Sequence, residues 1–381
     1  MSLIYLLAGE ASGDALGARL MKALQAARPE LDFAGIGGPQ MAAEGLDSLF
    51  PMSDLSVMGV LEVVPQLVRL RARLRQTALD IATRSPDAVV TIDSPGFALR
   101  LLRKIRPLGI PRIHYVAPQA WAWRESRVRS FPGLWEKLLC LLPFEPAFFA
   151  RHGLAATFVG HPVVESGADR GNAARFHADH GIADGADIVV LMPGSRGNEA
   201  PRLLPVFGAT IERLARRFPG IVPVVPVSAP VSEIVHRAVH SWPIRPIVVS
   251  APEAKYDAYA AARAALTKSG TSTLELALAG LPMAVTYRVN PITAAIARRV
   301  IRVPHVAMVN LLAGAPLVPE LLQEACNPTE LDAIVTRLIR EPAAASAQKA
   351  GFPAVLARLR SPEESPSAAA AREVLKTLDE A

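Results

Sequence analysis

Cysteine is nearly absent from this chain. Cys140 and Cys326 are its two, far apart and without the spacing of a disulfide framework or a zinc site. That argues against a disulfide-stapled secreted fold and fits a reducing cytoplasm. Long uncharged apolar runs are missing as well, since none reaches the roughly 18 residues that a membrane-spanning helix needs. The longest candidate, Pro219 to Ser232, is interrupted by Pro223, Pro226 and Pro230. No basic segment followed by a cleavage site opens the sequence, so Ile4–Ala8 is read as a first strand rather than an export signal. Neither sign of charge dominates. Forty-one Lys and Arg against 35 Asp and Glu leave a formal net charge of +6, which permits attraction to anionic lipid or phosphorylated ligands without requiring it. Several catalytic signatures are also missing. There is no Asp-x-Asp pair to clamp a metal-bound diphosphate, no His-Glu-x-x-His, no Gly-x-Ser-x-Gly elbow, no Gly-x-Gly-x-x-Gly dinucleotide fingerprint and no recognisable nucleic-acid motif.

What the chain does have is a strand–loop–helix rhythm that starts twice. With 381 residues, 51% apolar and 20% charged, it is long and greasy enough for two globular domains. In the first half the strand candidates are Leu3–Ala8, Asp32–Ile36, Ala88–Ile92, Arg112–Val116, Lys137–Leu142 and Thr157–Val159. Stretches such as Gly17–Ala27 and Leu99–Lys104 carry helical spacing between them. A looser segment from Val164 to Asp187 reads as a connection. The rhythm then resumes at Ile188–Met192, Ile221–Val225, Ile247–Val249, Ala264–Thr267 and Met283–Thr286, and Ala368–Leu378 is helical by composition. Strands alternating with helices predict parallel sheets covered on both faces, hence an α/β chain of two Rossmann-like domains facing a cleft. The expected divisions are 1–165, 166–345 and a helical tail over 346–381 that packs on the first domain.

Four loops and one helix could carry chemistry, and each has a plainer reading. Gly9-Glu10-Ala11-Ser12-Gly13-Asp14 opens a helix, where glycines permit a tight turn and Ser12 or Asp14 could hold a hydroxyl or merely cap the helix. Asp93 follows the apolar run Ala88–Ile92, where a carboxylate could take a proton from a substrate hydroxyl or serve as a cap. Pro193-Gly194-Ser195-Arg196-Gly197 has the backbone, hydroxyl and guanidinium donors of an anion site, or is a surface turn. Lys268-Ser269-Gly270-Thr271-Ser272-Thr273-Leu274-Glu275 could hold a pyrophosphate at a helix start, with Glu275 accepting from ribose hydroxyls, or could be a simple cap. His161, in Gly160-His161-Pro162, reads as a hinge or supporting group. On the helix Gln66–Thr83, Leu67, Leu70, Leu74 and Ile81 fall within about a 60° arc. Arg69 and Arg73 flank one side of that arc and Arg71 and Arg75 the other. Such a stripe can enter a membrane surface beside snorkelling arginines, or face a core.

These segments, taken in order, resemble the lipid A disaccharide synthase family. The match rests on Ala8–Asp14, Gly35-Ile36-Gly37-Gly38-Pro39, Ile92-Asp93-Ser94-Pro95-Gly96-Phe97 and Tyr115-Val116-Ala117-Pro118-Gln119-Ala120-Trp121-Ala122-Trp123. It continues through Leu142-Pro143-Phe144-Glu145, Val159-Gly160-His161-Pro162, Leu191–Arg196, Lys268–Thr271 with Leu274-Glu275, and Asn310-Leu311-Leu312. The resemblance implies a GT-B fold and a metal-independent, inverting transfer with no cofactor. The donor would be UDP-2,3-diacylglucosamine, the acceptor 2,3-diacylglucosamine 1-phosphate (lipid X), and the products a β-1,6-linked disaccharide 1-phosphate and UDP. It implies Asp93 as general base, Arg196 against charge developing on UDP, and Asn310 orienting the donor. Gly194, Ser195, Ser269, Gly270, Thr271, Thr273 and Glu275 would line the UDP-sugar site, and Glu10, Ser12, Gly13 and Asp14 the acceptor pocket. Because both substrates are acylated, it implies contact with the cytoplasmic face of the inner membrane through Val57, Met58, Leu67, Leu70, Arg71, Leu74 and Arg75. Family members form dimers that exchange C-terminal portions, so a homodimer is also implied. The nearest rivals are another UDP-sugar enzyme of the same architecture, such as a peptidoglycan-intermediate transferase or a UDP-N-acetylglucosamine 2-epimerase, and a non-catalytic lipid- or nucleotide-binding protein.

Overall fold

Runs dominated by apolar, largely β-branched residues, such as Ala88–Ile92 and Ile188–Met192, have no charged face to offer water, so they form strands buried on both sides. A computed structural model of the chain describes residues 2–55, 63–123, 125–197, 199–290, 293–295, 303–362 and 364–380. The described strands form two six-stranded, all-parallel sheets. The first contains β1 (Leu3–Ala8), β2 (Asp32–Ile36), β3 (Ala88–Ile92), β4 (Arg112–Tyr115), β5 (Lys137–Cys140) and β6 (Thr157–Phe158), in the order β2-β1-β3-β4-β5-β6. The second contains β7 (Ile188–Met192), β8 (Val222–Pro226), β9 (Ile247–Val249), β10 (Ala264–Lys268), β11 (Met283–Tyr287) and β12 (Glu320–Leu322), in the order β12-β11-β10-β7-β8-β9. Counted from β7, the second order is that of the dinucleotide-binding Rossmann sheet.

The chain divides into a unit of Met1–Pro162 with Leu359–Ala381 and a unit of Val163–Arg358. In the first, one face of the sheet packs against the helices Val63–Arg84 and Pro95–Ile105, through residues such as Ile81, Leu101 and Leu102. The other face packs against Ala11–Ala27 and the last helix, Pro366–Asp379, which contributes Ala369, Ala370, Ala371 and Val374. Ion pairs Lys137–Glu373 (3.0 Å) and Arg28–Asp379 (2.9 Å) edge that packing. The chain leaves this unit and returns to it at adjacent points, where the His161 N–H donates to the Leu359 carbonyl at 2.8 Å. Gly160 stands there at φ +87°, and a Cβ would lie 2.9 Å from the Ser361 nitrogen, so only glycine fits. The helix Pro342–Ala357 belongs to the second unit, and the returning segment begins at Leu359 rather than at 346. The reason is Gln348, whose buried amide accepts from the Met283 N–H (2.8 Å) and donates to the Met283 carbonyl (3.0 Å), fastening this helix to β11.

Candidate active site

In an open parallel sheet, ligands bind beyond the carboxyl ends of the strands, where the strand order reverses. In the first sheet the chain adds β2 on one side of β1 and returns to the other with β3, so the reversal lies between β1 and β3. Asp93 leaves β3 at that point. It is half-buried, and its N–H donates to the Tyr115 carbonyl at the end of β4 (2.8 Å). Asp93 and Ser94 have φ of +52° and +46°, and Val116, the next residue after β4, has +77°. Left-handed backbone at a non-glycine residue costs about 1–3 kcal/mol, and most at a β-branched one such as Val116. Three such residues on two adjacent strand ends mark this corner as one whose geometry is held against local preference. The β1 loop closes on the same corner, for a side chain at Gly9 would collide with Ser94 Oγ.

The predicted acceptor-pocket residues separate into two kinds. Glu10 and Ser12 are exposed at the start of the Ala11–Ala27 helix. Gly13 is buried, with Ala8 Cβ and the Ile92 carbonyl 3.4 Å from where its Cβ would be, so it lets the helix approach the sheet. Asp14 is also buried. Its carboxylate accepts from the N–H groups of Gly38 (2.8 Å), Gln40 (3.0 Å) and Met41 (3.0 Å). It is therefore engaged in holding the Gly37–Met41 turn rather than presented to a ligand. Nearby, Glu145 accepts from Trp121 Nε1 and from the Leu142 N–H, both at 3.0 Å. It thereby ties the Pro118–Trp123 loop to the end of β5. Burial pushes this carboxyl up to about 7, against the pull of those hydrogen bonds. In the sequence, Glu145 shows only as the end of Leu142-Pro143-Phe144-Glu145, with nothing to mark it as buried.

In the second sheet the reversal lies between β7 and β10. After β7, Gly194 turns at φ +105°, and Ser195 and Arg196 are exposed. After β10, Gly270 stands at φ +147° and Thr271 is exposed. Two hydroxyls expected to meet the donor each donate to the backbone: Ser269 Oγ to the Val306 carbonyl (2.6 Å), and the buried Thr273 to the Gly270 carbonyl (2.9 Å). Glu275 accepts from Lys255 Nζ at both oxygens, each at 3.1 Å, and lies 3.5 Å from the Tyr256 hydroxyl. Lys255 and Tyr256 lie about twenty residues upstream on another helix, so only the fold brings them to Glu275.

Asn310 requires a correction. It is completely buried, its Nδ2 donates to the Val318 carbonyl and Glu320 Oε1, and its Oδ1 accepts from the Val318 N–H, all at 2.8 Å. Glu320 in turn accepts from the N–H groups of Val306 and Ala307, both at 3.0 Å. Asn310 thus braces the loop that receives Ser269, with its amide engaged inside the second unit. Among the described residues, no group of three His, Cys, Asp or Glu side chains gathers as a metal ion would require.

The surface helix also differs from expectation. Val57 and Met58 lie outside the described residues, as does the Leu67 side chain. Leu70, Leu74 and Ile81 pack against the first unit's own core, so the predicted stripe is a core face. Arg69 and Arg73 pair with Asp54, and Arg73 also stacks 4.5 Å over Phe50. Among its described side chains, the large apolar ones that this helix leaves outside are Val68 and Leu79, 64% and 69% exposed, with Arg71 and Arg75 exposed beside them. No described helix is long and apolar enough to cross a membrane.

Known structures share this fold at low identity. UDP-GlcNAc 2-epimerase from Neisseria meningitidis, bound to UDP-GlcNAc, superposes with a TM-score of 0.66 over 100% of both chains at 12% identity. CalG4, the calicheamicin glycosyltransferase, gives 0.59 over 99% of this chain and 98% of its own at 16% identity. These are GT-B-type proteins and speak to architecture alone. Sequence relatives are closer. Lipid-A-disaccharide synthase of Granulibacter bethesdensis is 58% identical over 99% of this chain and 98% of its own length. The Rhodospirillum centenum protein of that name is 50% identical over 99% and 94%, and a Pseudomonas aeruginosa one 40% identical over 99% and 98%. With the lipid-A-disaccharide synthetase family model matching residues 4–374, the chain belongs to that family and is a glycosyltransferase of lipid A biosynthesis.

Proposed function

We propose that the chain joins UDP-2,3-diacylglucosamine to 2,3-diacylglucosamine 1-phosphate through a β-1,6 linkage, with inversion at the donor's anomeric carbon and release of UDP. The observation that carries this reading is Asp93, held half-buried in strained backbone at the reversal of the first sheet. As the acceptor's O6 bonds to the anomeric carbon, its proton passes to the Asp93 carboxylate. The bond from that carbon to the β-phosphate oxygen breaks, and its electron pair leaves with UDP. Arg196 offsets the charge that gathers on the diphosphate. Glu275, held in place by Lys255, accepts from the ribose hydroxyls. Binding of UDP-GlcNAc by the Neisseria epimerase of like fold supports a UDP-sugar in this architecture. Asn310 enters as a brace rather than as a donor ligand.

No metal has a role in this scheme, and the acylated substrates place the enzyme peripherally on the cytoplasmic face of the inner membrane. With detergent-dispersed substrates, disaccharide and UDP should form at an undiminished rate in EDTA. Asp93→Asn should lower kcat by about 10²–10⁴-fold with little change in donor KM, as expected for loss of a general base. Near-native turnover of that variant would remove Asp93 from the role. Loss of activity in EDTA, restored by a divalent ion, would overturn the metal-independent scheme.

A further inference from the structure

Four ionisable side chains converge beyond β7, β10 and β11, three neighbouring strands of the second sheet. Lys268 ends β10, Tyr287 ends β11, and Arg196 and Glu199 follow β7. Lys268 Nζ lies 2.9 Å from Glu199 Oε1, and the Arg196 guanidinium lies 3.7 Å from the same oxygen. Lys268 also stands 5.7 Å from the centre of the Tyr287 ring. The other carboxylate oxygen, Glu199 Oε2, is buried and has no hydrogen-bond partner among the described residues. It lies where a Cβ on Gly194 would come within 2.8 Å, so the turn after β7 wraps closely around this carboxylate.

An ion pair that served only the fold would be expected to satisfy both oxygens, because a buried acceptor without a partner is costly. Here two cations share one oxygen of the carboxylate, and the other has no partner among the described residues. Burial and the Glu199 charge raise the Tyr287 phenol above its usual range, so it stays neutral and can still donate. The four groups together keep a surplus of positive charge at the strand reversal, where the ligand of such a sheet belongs.

We propose that Lys268 is a second cation for the donor's diphosphate, and that Glu199 is the internal anion holding Lys268 and Arg196 together until the diphosphate takes its place. The inference rests on the reading of Arg196 as the diphosphate's partner. It adds Lys268, a residue of the Lys268–Thr271 motif without a role so far, and gives the two cations a common anion that holds them in position.

Calorimetric titration of UDP and uridine into the native protein and into Lys268→Met, Lys268→Arg and Glu199→Gln tests it, with acceptor KM measured alongside. Lys268→Met should weaken UDP about tenfold or more, the scale of a charge-assisted hydrogen bond, and leave uridine within about twofold. Retained uridine binding shows that the variant is folded, and Lys268→Arg should recover most of the UDP affinity. Glu199→Gln should tighten UDP several-fold, because the competing charge is gone. Equal losses for UDP and uridine in Lys268→Met would make the lysine a folding residue and overturn the proposal. Unchanged UDP affinity with a raised acceptor KM would assign it to the acceptor's phosphate and do the same. Weaker UDP binding by Glu199→Gln would make Glu199 a positioning group and refute the exchange. A native protein that binds no UDP would remove the donor reading itself, whereas one that binds UDP regardless of Lys268 would remove only this inference.

Discussion

A buried asparagine whose amide is already engaged has little left to offer a substrate, and that is the position of Asn310. Its removal opens the Val318 N–H and carbonyl and one Glu320 oxygen at once. Asn310→Ala is therefore expected to cost about 2–4 kcal/mol of stability, read as a lowered denaturant midpoint. The activity surviving at low temperature should stay near native per folded molecule. A variant of unchanged stability but crippled turnover would return Asn310 to the reacting centre. The same distinction explains what the sequence could and could not reveal at this scale. The place of Asp93 is legible because an acid straight after a short apolar, β-branched run marks a strand's carboxyl end. The partners of Glu275 were not, because Lys255 and Tyr256 carry no local pattern. Asp14, Ser269 and Thr273 all bond to the backbone here, because small polar residues in loops and at helix starts serve the backbone as readily as a ligand.

Elements were more legible than residues. Every described strand was expected within about two residues, except β12, whose Glu320-Leu321-Leu322 is too short and too mixed to show a period. Parallel order followed from the alternation of strand and helix. On the outer helix the periodicity over Gln66–Thr83 leaves core and lipid open for its stripe, the resemblance points it to lipid, and the structure turns it to the core. Periodicity defines a face without saying whether core or solvent meets it, and Thr77, buried inside the supposed lipid stripe, breaks no apolar rule that a sequence displays. The outward face is instead Val68, Ala72, Arg75 and Leu79, which fall within about 60° of one another, with Arg71 at its edge. If this helix meets lipid, that face does so. Val68→Ser with Leu79→Ser, or Arg71→Glu with Arg75→Glu, should lower co-sedimentation with vesicles containing anionic lipid and leave the melting temperature in place. The charge pair's effect should fade with salt. Undiminished vesicle binding in both pairs would remove this helix from any membrane contact.

At the scale of the whole molecule, the first unit holds three buried titratable groups whose pH effects oppose one another. Burial lowers His114 to about 4, and burial with the nearby Arg19 lowers His161 to about 4. His114 is bonded through Nδ1 to Thr91 at 2.8 Å and stacked on Trp135. An unfolded histidine takes its proton near 6.5, so between about 6.5 and 4 the unfolded chain binds protons that the folded unit refuses. Stability conferred by these two neutral rings is complete above that window and declines as pH falls through it. Glu145 acts the other way. Its folded carboxyl titrates at about 7 against about 4.5 unfolded, so over that interval the folded unit holds the extra proton and loses stability as pH rises. The windows overlap between about 4.5 and 6.5, where two histidines outweigh one glutamate by a single proton. In the second unit, Asp257 is lowered chiefly by its hydrogen bond from Arg175, so its contribution is lost only below the ordinary carboxylate range. Mild acid should thus weaken the first unit before the second. Urea titrations followed by Trp fluorescence at pH steps from 7.5 to 4.5 should show a modest decline in the native protein. Glu145→Gln removes the opposing proton, so the decline should steepen towards about two protons' worth, roughly 3 kcal/mol per pH unit, and His114→Gln should flatten it. An unchanged slope in Glu145→Gln would mean that this carboxyl is already ionised in the folded protein near pH 5, and that the Trp121 and Leu142 hydrogen bonds outweigh its burial.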